Sequence, residues 1–135
     1  MYNVIVGKPN APQHDMNKVC AEALDACQEA LRPGRTVGEV FEIHARSFKS
    51  AGYGHAVLSA CGYTMGAMYP PTWMDWPMFW SGNPQVIAAG MVFFLHMILF
   101  DREDGASMCI GETAIVTEQA CDRVTHIPRT LIVRN

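Results

Sequence analysis

Gly90-Met91-Val92-Phe93-Phe94-Leu95-His96-Met97-Ile98-Leu99-Phe100 decides how this chain folds: nine apolar residues and one histidine follow a single glycine. The run is too short to cross a bilayer, which takes about 20 apolar residues. Its continuity and its Phe, Val and Ile content predict a strand buried on both faces. Side chains alternate along a strand, so Val92, Phe94, His96, Ile98 and Phe100 share one face. His96 therefore falls in the middle of the most apolar segment. Burial there favours a neutral imidazole in need of a hydrogen-bond partner. A satisfied core histidine and a site histidine both fit that position.

Downstream of this strand, Asp101 to Gly105 is a charged turn ending in Asp-Gly, a hairpin signal. Cys109 to Glu118 returns as a strand, in which Ile110, Glu112, Ala114 and Val116 alternate with Gly111, Thr113, Ile115 and Thr117. Gln119-Ala120 turns again, and Thr130 to Val133 is a last short strand. Upstream, Trp73 to Gly82 reads as a loop dense in Trp and Met, which would form a sticky patch if exposed. Pro70-Pro71-Thr72-Trp73 excludes regular structure. The glycines of Cys61-Gly62-Tyr63-Thr64-Met65-Gly66 suggest close backbone approach or a bulge, and Gly54 to Ala60 reads as a strand.

Two helices precede this region. Asn10 with Gln13 and Thr36 with Glu39 have capping-box spacing. The first box opens a helix whose apolar stripe is Met16, Cys20, Ala23, Leu24, Cys27, Ala30 and Leu31, stopped by Pro33-Gly34. The second opens a helix with Val37, Val40, Phe41, His44, Ala45 and Phe48 on its buried face, ending before Gly52. Tyr2 to Val6 is a short strand closed by Gly7. One strand, two helices and then several antiparallel strands predict an α+β domain with the helices on one face of a sheet.

The chain has 135 residues, half of them hydrophobic and 17% charged, enough for a single folded domain over 1–135. A net charge of −3 with no basic block argues against nucleic acid or an anionic membrane as partner. No charged-then-apolar leader precedes Tyr2, so no signal peptide is expected. The five cysteines, Cys20, Cys27, Cys61, Cys109 and Cys121, are odd in number and form no Cys-x-x-Cys pair. Reduced, buried thiols and a cytoplasmic location are therefore expected.

Three pieces coincide in order and spacing: Cys61-Gly62-Tyr63-Thr64-Met65-Gly66, Gly90-Met91-Val92-Phe93 and Gly111-Glu112-Thr113-Ala114-Ile115-Val116-Thr117-Glu118. Together with the two-helix layout they resemble the C-terminal half of the pita-bread family of methionine aminopeptidase, aminopeptidase P, prolidase and creatinase. The resemblance runs from about Tyr2 to Ile127. Gly-Tyr-x-x-Gly followed by Tyr-Pro-Pro-x-Trp looks most like the creatinase and ectoine-hydrolase-like branch, Xaa-Pro-peptidase-like proteins. It implies an α+β half of a pita-bread fold, two helices packed on a curved, mainly antiparallel sheet. It also implies a hydrolase in which two divalent metal ions, held by two Asp, one His and two Glu, activate water and polarise the amide carbonyl.

The resemblance places Tyr63 at the family's ligand His, His96 at its first ligand Glu and Gly111 at its second. Both ligand Asp lie upstream of the strand matched by Tyr2 to Val6. No metal and no cofactor are therefore expected in this chain, which is expected to be inactive alone. Glu112 neighbours the Gly111 position, but strand alternation turns it to the opposite face. His96 and Tyr63 remain as candidate catalytic residues of a remodelled pocket, with His55, Trp73, Trp76 and Glu112 as candidate substrate contacts. A small peptide or other small C–N compound is the expected substrate, or a peptide or protein partner if the domain is a non-catalytic binding module. A lone half leaves apolar surface and an unpaired strand edge at Tyr2, so a homo-oligomer or a missing first half is expected. Ala120, where the family has Gly, would cost roughly 1 kcal/mol if positive φ were required there.

Overall fold

The computed structural model describes residues 1–66 and 71–135. Pro70, part of the expected irregular stretch, lies outside the described residues. The elements run β1 (Val4–Val6), α1 (Ala11–Ala30), α2 (Val37–Ser50), a 3-10 turn (Gly54–Ala56), β2 (Gly62–Thr64), β3 (Asp75–Met78), β4 (Val92–Asp101), β5 (Ala106–Val116), β6 (Cys121–Arg123) and β7 (Ile132–Arg134). A five-stranded antiparallel sheet has the order β3-β2-β4-β5-β6. β1 and β7 form a separate parallel pair, so one edge of β1 is taken by β7 rather than left open.

Both helices start where the capping boxes place them. The Asn10 side chain accepts from the Gln13 amide, and Thr36 accepts from Glu39 at 3.2 Å while its own N–H donates to the Glu39 carboxylate at 2.7 Å. Each box satisfies donors that a helix start otherwise leaves open. Thr36→Ala should cost about 1 kcal/mol, read as a lower midpoint in urea, with Thr36→Ser close to the parent protein.

α1 packs against β4 and β5, and α2 against α1, so the core lies between the helices and one face of the sheet. Phe93, Leu95, Met97 and Leu99 of β4 are buried there. The expectation that β4 is buried on both faces is not met. Val92, Phe94, His96 and Ile98 are half-buried and Phe100 is exposed, because no described element packs over that side of the strand.

Three local expectations also change. Gly54 to Ala60 is not a strand: its start coils into the 3-10 turn, and only Val57 makes an isolated bridge to Leu99. The Trp73 to Gly82 loop contains the edge strand β3, where Pro77 is tolerated because an edge strand leaves some N–H positions unpaired. Ala120 carries no conformational strain, since no described residue other than glycine has positive φ. The close approach expected at the glycines of the 61–66 stretch is present. A Cβ on Gly62 would lie 2.7 Å from the Phe94 carbonyl oxygen.

All five cysteines are free. Cys20, Cys27 and Cys61 are buried, while Cys109 and Cys121 are half-buried at the sheet's margin. Burial pushes the Cys20 and Cys27 thiols up to about 12, leaving them un-ionised and inert.

Candidate functional site

The sheet face turned away from the helices brings Tyr63 and His96 together. Tyr63 on β2 pairs with Phe94 on β4, and His96 pairs with Gly111 on β5. Paired residues share a face, so the three rings cluster. Centroids are 5.4 Å apart for Tyr63 and Phe94, 5.9 Å for Tyr63 and His96, and 6.2 Å for Phe94 and His96. These are ordinary separations for tilted aromatic pairs. The Trp73 indole N–H donates to the Tyr63 hydroxyl at 3.2 Å. Tyr63 thus accepts from Trp73 and keeps its own proton to donate.

His96 Nδ1 is shielded from solvent and has no hydrogen-bond partner among the described residues. Burial pushes the His96 pKa down, so the ring is neutral at pH 7 and that nitrogen is either an unused donor or an unused acceptor. His44 is the other orphaned imidazole. It is buried on α2 between Phe41 and Phe48, and burial, with His96 nearby, pushes its pKa down to about 4. Its position on the buried stripe of α2 makes it a packing residue.

The remaining candidates separate. Trp73 is 63% exposed beside Tyr63, and Trp76 is 69% exposed on edge strand β3. His55 stands at the far end of β4, its Nε2 3.2 Å from an Asp101 carboxylate oxygen, on a cavity of about 300 Å³. Asp101 is five residues along the strand from His96, roughly 16 Å, so His55 does not join the ring cluster.

Glu112 is not placed to touch a ligand. It is 1% exposed on the helix-side face. One of its oxygens accepts from the Tyr2 hydroxyl, Arg123 Nη2 and Arg129 Nε. The other accepts from Gln28, Arg123 Nε and Arg129 Nη2. Both arginines grip it in the two-pronged fork that matches a carboxylate. Burial alone pushes the Glu112 carboxyl up, but hydrogen bonds from Arg129, Tyr2 and Arg123 outweigh it and hold the carboxyl at about 2. The network ties the start of the chain, α1, β6 and the C-terminal segment to β5. Sequence pattern gave no warning of it, because Tyr2 and Gln28 lie 110 and 84 residues away.

The residues at the three expected ligand positions, a phenol, an imidazole and a glycine, do not fit a pair of divalent cations, which want carboxylates and imidazoles. Among the described residues no three His, Cys, Asp or Glu side chains are grouped to hold a metal ion. The space beside Gly111 is also taken, since a Cβ there would lie 2.6 Å from Phe94 Cζ and 3.0 Å from the Leu95 carbonyl oxygen.

Two helices on one face of a mainly antiparallel five-stranded sheet match the pita-bread fold. The profile of metallopeptidase family M24 matches residues 1–118, and the chain belongs to that family. It is 27% identical over 129 residues to an Xaa-Pro dipeptidase of Pyrococcus furiosus, covering 96% of this chain and 36% of that protein. It is 24% identical to an ectoine hydrolase of Halomonas elongata, covering 97% of this chain and 32% of that protein. An X-Pro aminopeptidase structure from Thermotoga maritima superposes with a TM-score of 0.87 at 19% identity, over 97% of this chain and 36% of that one. The chain thus spans about a third of the length of the relatives it matches. Among the described residues no helix is long and apolar enough to cross a membrane.

Proposed function

We propose that this chain is the C-terminal part of a C–N hydrolase of the Xaa-Pro-peptidase and creatinase kind whose dinuclear metal ligands have been replaced, and that it is inactive by itself. One observation supports the reading: Tyr63, His96 and Gly111, which the resemblance sets at the family's ligand positions, share one sheet face, and a ring packs over the glycine. The site takes a small peptide or another small C–N compound. The Tyr63 hydroxyl donates to a ligand oxygen, and neutral His96 supplies a hydrogen bond or takes a proton. Among the described residues no activated nucleophile accompanies them. The half-covered apolar face around Val92, Ile98 and Ile115 favours closure by a second copy or a further half, and the free thiols suit a cytoplasmic location.

The test is an assay on Xaa-Pro dipeptides and on guanidino and lactam-type substrates, with and without added Mn²⁺, Co²⁺ or Zn²⁺. No turnover is expected from the chain alone; turnover would contradict its inactivity. Binding of an Xaa-Pro dipeptide should weaken about tenfold in His96→Ala, the worth of one hydrogen bond. Unchanged affinity removes His96 from the site.

A second reading, a non-catalytic peptide- or protein-binding module, is favoured by the exposed Met65, Trp73, Met74, Trp76 and Trp80. Trp and Met are the side chains that such surfaces use. Peptide binding that survives His96→Ala but is lost in Trp73→Ala and Trp76→Ala would select it.

A further inference from the structure

We infer that the Phe94 ring is a plug: it occupies the space that any side chain at position 111 would need, and so excludes a ligand from that position for as long as it stands. This rests on the metal-free reading above and adds a steric cause to it. Absence of a carboxylate would leave a vacant cradle that a single substitution could refill. Here the cradle is full. Phe94 sits diagonally across from Gly111, two pairs along the ladder from the His96–Gly111 pairing and on the same face. Its Cζ and Cε1 would lie 2.6 Å and 3.2 Å from a Cβ on Gly111, inside van der Waals contact. Tyr63 and His96 flank the ring, with centroids 5.4 Å and 6.2 Å from it. An aromatic side chain covering a glycine on the next strand also replaces the packing that glycine lacks. Gly111 and Phe94 are therefore an exclusive pair: the glycine admits the ring, and the ring requires the glycine. What lines that face is a set of three rings whose polar atoms include the Tyr63 hydroxyl, while His96 Nδ1 is shielded from solvent.

A double-mutant cycle on the full chain tests this by thermal denaturation. Gly111→Ala alone should lower Tm by several degrees. In the Phe94→Ala background the same change should cost less than half as much, because the ring is gone and only the 3.0 Å approach to the Leu95 carbonyl remains. Gly111→Glu should follow the same pattern with a larger single-mutant loss. An undiminished loss in the Phe94→Ala background, or no Tm loss in Gly111→Ala, overturns the plug. If the cycle shows the rescue while the unaltered protein gains Tm with stoichiometric Mn²⁺ or Zn²⁺, the plug stands and the metal-free reading fails.

Discussion

Glu112→Ala is expected to destabilise the protein by about 3–5 kcal/mol, a large part of the total stability of a domain this size. The loss does not measure how much the ion pairs add to folding. It measures what the other groups suffer without their anion. Arg129 has an almost fully buried side chain and among the described residues would keep only Asp25 as a charged partner, and Tyr2, Gln28 and Arg123 would lose theirs. A buried guanidinium left short of charge is among the costliest defects a core can carry. Glu112→Gln, which keeps the shape and loses the charge, should fall between Glu112→Ala and the parent in urea denaturation. The same carboxylate sets an acid limit. Its folded pKa of about 2 lies below the unfolded value of 4.5. Its contribution is therefore complete above pH 4.5 and is lost as pH falls from there toward 2, on the order of 3 kcal/mol in all. His44 acts earlier in the same direction. It is neutral in the fold, with a pKa near 4 against 6.5 unfolded, so its share is lost as pH falls from 6.5 to 4. Stability measured against pH should decline below about 6.5, and Glu112→Gln should flatten the lower part of that curve.

Phe93→Ala should cost about 3–5 kcal/mol, whereas Phe94→Ala should cost less than half as much. The two residues are neighbours of identical chemistry on opposite faces of β4. Phe93 is fully buried and meets Phe79 edge-on at 4.9 Å, so its removal opens a cavity and breaks an aromatic pair. Phe94 is half-buried on the ligand face, and its loss leaves space that water can reach. Equal costs would mean that something covers the second face as tightly as the helices cover the first.

That pair also shows where the sequence ran out. The alternation of Val92, Phe94, His96, Ile98 and Phe100 against Phe93, Leu95, Met97 and Leu99 was legible, and so was its continuation to Glu112 opposite Gly111. Which set faces the helices was not, because both are apolar apart from His96, and a single neutral histidine fits a buried face as well as an open one. Both helices could be read from their capping boxes and stripes, because those signals span only three or four residues. The three-residue strands β2 and β6 and the four-residue β3 are held mainly by their neighbours. Asp75-Trp76-Pro77-Met78 carries too little pattern of its own to announce a strand. The resemblance, not the spacing, brought Tyr63 and His96 into one candidate pocket. Phe94 could be placed on the His96 face, but its approach to Gly111 could not, because it depends on the pairing of β4 with β5. The Glu112 network was illegible for a different reason: its partners come from both ends of the chain and meet only when β5, β6 and α1 are assembled.

The proposal that Tyr63, His96 and Gly111 replace the family's cation ligands predicts no cation among them. Backbone amide NMR spectra recorded during an Mn²⁺ titration test this most directly, because the ion broadens nearby resonances selectively. The amides of Tyr63, His96 and Gly111 should stay sharp at equimolar Mn²⁺ and broaden no more than those of exposed surface residues. Selective loss of those three resonances at equimolar metal, reversed by a chelator, would place a cation in their midst and contradict the account.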